Sequence, residues 1–211
     1  MGLMEIRRRM LMGDNLVPSG YRRIEYAESD GSAFVQLPFG FDRTDEVETR
    51  FTVLKGNAQY LSDKYIVSPS RWNENNNRFA MGIHGTGGNN NNLYCAGFGM
   101  RLASYTFLQP RTVSDFLMHT WEYKDSMFSI SELGLSLDVD GYTFGGTTYP
   151  LKLFYGYNSN TIGKIAYYKH KHDGVLYNII PIQKISDGTV EMYDTVSKTI
   201  MPRTGTLLAP T

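Results

Sequence analysis

Three groups of residues have the types and spacing that chemistry needs. In DEVETR, Glu46 and Glu48 stand two residues apart, so on an extended chain both carboxyl groups share one face. Two carboxyl groups flanking a bond, one as acid and one as nucleophile or base, are the equipment of a glycoside hydrolase. Arg50 falls on that same face, however, and Val47, Thr49, Phe51 and Val53 fall on the other. The expectation is a solvated outer face and no catalytic residue. In KHKHDG, His170 and His172 have the same two-residue spacing, which makes a possible metal pair. Lys169 and Lys171 alternate with them, and no acidic or cysteine partner stands at a recognisable spacing. This reads as an exposed edge without a metal. Asp138 and Asp140 in LDVDG lack the remaining ligands and the closing glutamate of a calcium loop. Asp140-Gly141 is expected at the tip of a hairpin.

Other chemistry finds less to build on. No G-x-S-x-G elbow is present. Gly85-Thr86-Gly87-Gly88 is glycine-rich, but it lacks the Gly-Lys-Ser/Thr ending of a phosphate loop. Cys95 is the single cysteine. It excludes an intrachain disulfide, fits a reducing compartment, and reads as a small buried hydrophobe. The best binding candidate is Trp72, which lies beside Arg71 in the Asn-rich stretch SRWNENNN. An indole face stacks on sugar C–H surfaces, and Asn amides offer a donor and an acceptor to hydroxyl groups. Arg71, Trp72, Asn73 and Asn75 are therefore the expected glycan-binding residues. Trp121, inside FLMHTWEYK, is expected in the core.

These residues must be positioned by strands. The chain has 211 residues, 41% of them apolar, with 15 Tyr, 11 Phe and 21 Gly. Aromatic residues favour half-buried pleated surfaces, and Gly and Asn favour turns. Alternation places strands at 22–28 and 31–37, joined as a hairpin across Ser29-Asp30-Gly31, and at 45–54 and 58–63. Segments 68–77 and 84–92 read as long Asn- and Gly-rich loops around short strands at 78–83 and 93–98. Further strands are expected at 101–107, 116–124, 126–131 and 133–141, and within 147–158, 163–171 and 175–185. In SDGTVEMYDTVSKTI, turns at Asp187-Gly188 and Asp194 flank a packed Met192-Tyr193 pair. Many short strands with frequent polar turns predict an all-β sandwich of two antiparallel sheets. The 21 basic and 21 acidic residues cancel, which argues against general nucleic-acid binding. No apolar run approaches the ~20 residues that span a membrane.

Residues 1–12 differ from the rest. Leu3, Ile6 and Met10 recur at helical spacing, while Arg7, Arg8 and Arg9 point elsewhere. A short amphipathic helix of this length needs a partner surface. Residues 1–15 are therefore expected to be an anchor or assembly segment, with Leu3, Ile6, Arg7 and Met10 as its contacts, and 16–211 to be the domain. Arg7–Arg9 follow the apolar start, which is not the pattern of a secretory signal.

Several segments carry a family likeness in order: LVPSGYRRIEYAESDGSAFVQL, LDVDGYTF, PLKLFYGYN and the closing block from Gly163 to Ile200. Over roughly 16–205 the chain resembles the concanavalin A-like lectin/glucanase superfamily. The nearest likeness is to LamG-like jelly-roll domains of phage particle proteins and gut-bacterial surface proteins. The resemblance implies a jelly roll and, as function, a non-enzymatic phage virion component. Such a component would be a head fibre, a decoration or a tail-fibre-like part, assembled in the bacterial cytoplasm. It would form homo-oligomers, join other virion proteins and touch host or mucosal glycans, with no cofactor. The rival reading is a bacterial cell-surface carbohydrate-binding module. Hydrolysis is not carried over, because Glu46-Val47-Glu48-Thr49-Arg50 departs from the superfamily's Glu-x-Asp-x-(x)-Glu strand.

Overall fold

A computed structural model describes residues 16–54, 64–69, 78–86, 91–99, 106–112, 114–142, 147, 149–156 and 159–210. The strands of the first half are β1 (Tyr21–Arg23), β2 (Ala27–Asp30), β3 (Phe34–Gln36), β4 (Glu46–Val53), β5 (Lys64–Pro69), β6 (Arg78–Thr86) and β7 (Asn91–Gly99). Then come β8 (Thr106–Phe107), β9 (His119–Lys124), β10 (Met127–Ile130), β11 (Leu135–Asp138), β12 (Leu151–Leu153), β13 (Tyr155–Gly156) and β14 (Ser159–Asn160). The closing strands are β15 (Ile162–His172), β16 (Val175–Lys184), β17 (Val190–Asp194), β18 (Thr199–Ile200) and β19 (Arg203–Thr204). Among the described residues there is no α-helix, and one 3-10 turn at Ser131–Leu133. The expected helix at 1–12, its contacts Leu3, Ile6, Arg7 and Met10, and the strand expected at 58–63 lie outside the described residues.

The strands form two large antiparallel sheets and a separate two-stranded ladder, β13-β14. The larger runs β11-β10-β9-β4-β15-β16-β17-β18, with β1 on β16 and β2 on β15. The smaller runs β19-β3-β12-β5-β6-β7-β8. They pack face to face as a β-sandwich, with the apolar inner faces buried between them and β5, β6 and β7 buried along most of their described length. Along β4, Val47, Thr49, Phe51 and Val53 are buried while Glu46, Glu48 and Arg50 are half-buried on the other side. Aromatic rings fill the interior. Phe51 stacks on Trp121 within the large sheet at 5.2 Å, and Tyr94 of the small sheet meets Trp121 edge-on at 5.8 Å. Trp121 is therefore core, as expected, and Cys95 is buried.

Two ends of the sandwich can be distinguished from the strand register. Pro69 pairs with Leu151, Arg78 with Gly99, and His172 with Val175. Phe79 stacks on Phe41 at 3.6 Å, and Phe41 lies 6.0 Å from His170. The strand ends flanking 70–77 and 100–105, the Asp42–Asp45 turn and the β15–β16 turn thus share one end, called the distal end below. Gly163 opposite Val53, and Ile162 opposite Asp30, mark the other. Near the distal end Gly40 lets two backbones touch: a Cβ there would sit 1.7 Å from the Thr147 carbonyl oxygen.

The turns follow their residues. Asp173-Gly174 closes β15–β16 with both residues at positive φ, the two-residue hairpin that Asp-Gly favours. Asp187-Gly188 also turns as expected, and Met192 and Tyr193 are packed. Asp140 and Gly141 lie in a turn closed by the Tyr142 amide on the Val139 carbonyl, but not at the tip of the expected hairpin: β11 is an edge strand on β10, and the next strand, β12, belongs to the small sheet.

Three further expectations need correction. The segments at 22–28 and 31–37 are not a hairpin. β2 pairs β15 in the large sheet, and β3 pairs β12 and β19 in the small one. The Ser29 hydroxyl donates to the Ala33 carbonyl and accepts from the Gly31 amide. This tight turn carries the chain from one sheet to the other. Within the expected loop at 84–92, residues 84–86 and 91–92 are strand, because β6 and β7 stay in register out to Thr86 opposite Asn91. A ladder is made by backbone groups, so Gly and Asn extend it without apolar side chains. Finally, the strand expected from 116 begins at His119. Phe116 sits at φ 59, and Asp115 accepts from the Leu117 amide, so the backbone before it is a turn.

Candidate functional site

A buried cluster of polar side chains lies inside the distal end. Asp45 ends the turn Phe41-Asp42-Arg43-Thr44-Asp45 and immediately precedes β4. Its amide donates to the Asp42 carbonyl at 3.1 Å, and its Oδ2 accepts the Asp42 amide at 2.8 Å. The turn is docked by Arg43, whose guanidinium donates to the carbonyls of Val139, Asp140 and Tyr142. Antiparallel pairing of β4 with β15 places Val47 opposite His170, which brings both histidines over Asp45. His170 Nε2 and His172 Nδ1 each lie 2.8 Å from Asp45 Oδ2. Tyr168 Oη lies 2.9 Å from His170 Nδ1.

This arrangement overturns the exposed-edge reading of His170 and His172. His170 is fully buried and Asp45 is 1% exposed; His172 is partly buried, with 22% of its side chain exposed. The strand β15 is central, between β4 and β16. Lys169 and Lys171 take its outer face and the histidines its inner face. Phe39 walls the site, edge-on to His170 at 4.7 Å and stacked on His172 at 5.4 Å. Tyr177 packs behind Phe39 at 4.2 Å.

Burial acts to raise the Asp45 carboxyl. The bonds from His170, the Asp42 amide and His172, together with the charge interaction with His170, outweigh it and hold the group below its usual range. Burial lowers the His170 imidazole, and the Asp45 bond and charge oppose this without cancelling it. Tyr168 is raised well above its ordinary value, by burial first and by Asp45 second. The protonation pattern follows. The Tyr168 hydroxyl donates to Nδ1 of a neutral His170, whose Nε2–H donates to an ionised Asp45. Asp45 Oδ1 is buried and has no hydrogen-bond partner. A buried polar atom of that kind calls for a physical reason.

Glu46 and Glu48 lie on the outer face of β4. Glu46 is bridged by Lys171 at 2.9 Å and Lys124 at 3.4 Å, and Glu48 by Lys169 at 2.8 Å. A second cluster lies at the opposite end. His119 Nε2 is 3.0 Å from both Asp115 oxygens, and its Nδ1 is 3.6 Å from Glu132 Oε2. The Tyr94 hydroxyl donates to Asp115 at 2.7 Å, and Arg50 bridges Glu132 at 2.9 Å. Burial pushes the Tyr94 hydroxyl up to about 12. Burial also acts to raise Asp115 and Glu132. Backbone amides, hydroxyl groups and His119, with Arg50 for Glu132, outweigh it and hold both below the usual range. Neither carboxyl is thus poised as the protonated acid that glycoside hydrolysis needs.

The residues expected to bind glycan, Arg71, Trp72, Asn73 and Asn75, lie outside the described residues. What is fixed is where their segment leaves and rejoins the sheet, at Pro69 and Arg78 on the distal end. Asp45 and Tyr168 are the site residues that sequence reasoning missed. The available signal was an Asp-x-x-Asp turn directly ahead of the clearest strand; the strand partner of that turn was not readable. No protein-family model matches the chain, and no curated protein matches it.

Proposed function

We propose that the chain is a non-enzymatic binding module, a concanavalin A-like jelly roll that presents a glycan-recognition surface at its distal end as part of a phage particle. The supporting observation is the convergence of connections there. Segments 70–77 and 100–105 leave the neighbouring strands β5, β6, β7 and β8 beside the paired Arg78 and Gly99. The segment with Arg71, Trp72, Asn73 and Asn75 is thus held between strand ends of a rigid sheet, the usual way binding loops are placed. The tied carboxylates favour binding over hydrolysis. The phage assignment rests on the family resemblance. Residues 1–15, as a short amphipathic helix through Leu3, Ile6, Arg7 and Met10, join copies of the chain or anchor it to other virion proteins.

Two experiments test this reading. On a glycan array, the full chain is expected to bind a defined glycan class and Trp72→Ala to lose most of that signal. An array on which wild type binds nothing sinks the glycan assignment. In light scattering, the full chain is expected to be an oligomer, and a chain starting at Asn15 a folded monomer. Identical masses would remove the assembly role of residues 1–15.

A further inference from the structure

The polar cluster at the distal end holds an unexplained feature, the orphaned Oδ1 of a carboxylate that is 1% exposed. We propose that Asp45, His170 and His172 bind one transition-metal cation of the zinc class. The proposal is independent of the glycan reading. One ligand atom from each residue lies within 4.8 Å of the others. Two imidazoles and a carboxylate are a donor set suited to Zn2+ and its neighbours, not to Ca2+ or Mg2+.

The three donor atoms already face one another, and coordination requires them to close on a common centre. Ligand bonds of roughly 2.0–2.1 Å in a tetrahedral shell separate neighbouring donor atoms by roughly 3.3 Å. The 2.8 Å contacts of His170 Nε2 and His172 Nδ1 with Asp45 Oδ2 would therefore open by about half an ångström. Each imidazole must then carry its proton on its other nitrogen, and each has a group there. Tyr168 Oη stands 2.9 Å from His170 Nδ1 and can turn from donor to acceptor. The Asp173 carboxylate stands 3.7 Å from His172 Nε2. A metal-bound histidine that donates its second N–H to an oxygen is the arrangement that orients ligands and raises their basicity. Phe39 and Tyr177 form the apolar wall. The free Oδ1 lets Asp45 bind through either or both oxygens, and partly exposed His172 leaves the remaining position to water.

The test uses the full chain stripped with a chelator and titrated calorimetrically with Zn2+ alone. The expected result is one Zn2+ per chain and a raised melting temperature. His172→Ala, at the exposed edge of the cluster, is expected to weaken binding at least about tenfold, while His119→Ala at the other end leaves it unchanged. Weak binding without fixed stoichiometry, unchanged binding by His172→Ala, or loss in His119→Ala would each overturn the proposal. Co2+ bound to wild-type protein supplies a readout that needs no variant. The intense visible absorption of a four-coordinate nitrogen and oxygen site supports the assignment, and the spectrum of the hydrated ion alone refutes it.

Discussion

Asp45→Ala will lower the unfolding free energy by about 3–5 kcal/mol, the cost of removing one partner from a buried charged network. Three N–H groups converge on Asp45 Oδ2, from Asp42, His170 and His172. Removing the carboxylate strands the His170 Nε2–H in a fully buried position, and it also frees the turn that starts β4. A buried donor left without an acceptor keeps its whole desolvation cost. Asp45→Asn retains one acceptor oxygen and should lose about half as much. Urea denaturation of the chelator-treated protein, followed by the fluorescence of buried Trp121, measures both. A loss under about 1 kcal/mol for the alanine variant, the level of an exposed ion pair, would mean that the network contributes no more than a surface contact.

Asp194→Ala should cost about 1.5–3 kcal/mol, the range for hydrogen bonds to a charged group. Asp194 is fully buried at the end of β17. Its Oδ1 accepts the amides of Asn178 at 2.9 Å and Val196 at 3.2 Å, and its Oδ2 accepts that of Ser197 at 3.0 Å. These bonds hold both the turn after β17 and the edge of β16. Burial alone would raise this carboxyl; the Ser197, Asn178 and Val196 bonds outweigh it and lower it. The folded state therefore binds the proton less tightly than the unfolded chain does. The stabilisation is complete above the unfolded value of about 3.9 and disappears as pH falls through the lower, folded value. The stability gap between wild type and Asp194→Ala should narrow below about pH 4. A gap that stays constant from neutral pH to acid would show that ionisation of Asp194 plays no part.

The two predictions separate what could and could not be read from the sequence. Asp194 and Asp187-Gly188 are turn residues whose partners are close in the chain, so local chemistry sufficed to place them. Asp45 Oδ2 is bonded by residues 125 and 127 positions away, and only strand pairing brings them together. Alternation along Lys169-His170-Lys171-His172 reports two faces. It contains no apolar residue to say which one is inside, so the histidines looked solvated. The same limit explains the false hairpin at 22–37. Two alternating segments with a Ser-Asp-Gly turn pair with each other or part into separate sheets, and the pattern is identical in both cases. Where one face was strongly apolar, as in β4, the strand and its buried face were legible; in β9 the core place of Trp121 was legible and the start of the strand was not.

Arg71, Trp72, Asn73 and Asn75 are the centre of the functional account, and a titration tests them most directly. A glycan selected on the array would be titrated into the full chain, Trp72→Ala and Leu117→Ala. Leu117 is an exposed side chain at the opposite end and serves as the control. The account predicts that Trp72→Ala loses binding while Leu117→Ala matches wild type. Equal binding by wild type and Trp72→Ala, or loss on changing Leu117, would contradict a recognition surface at the distal end.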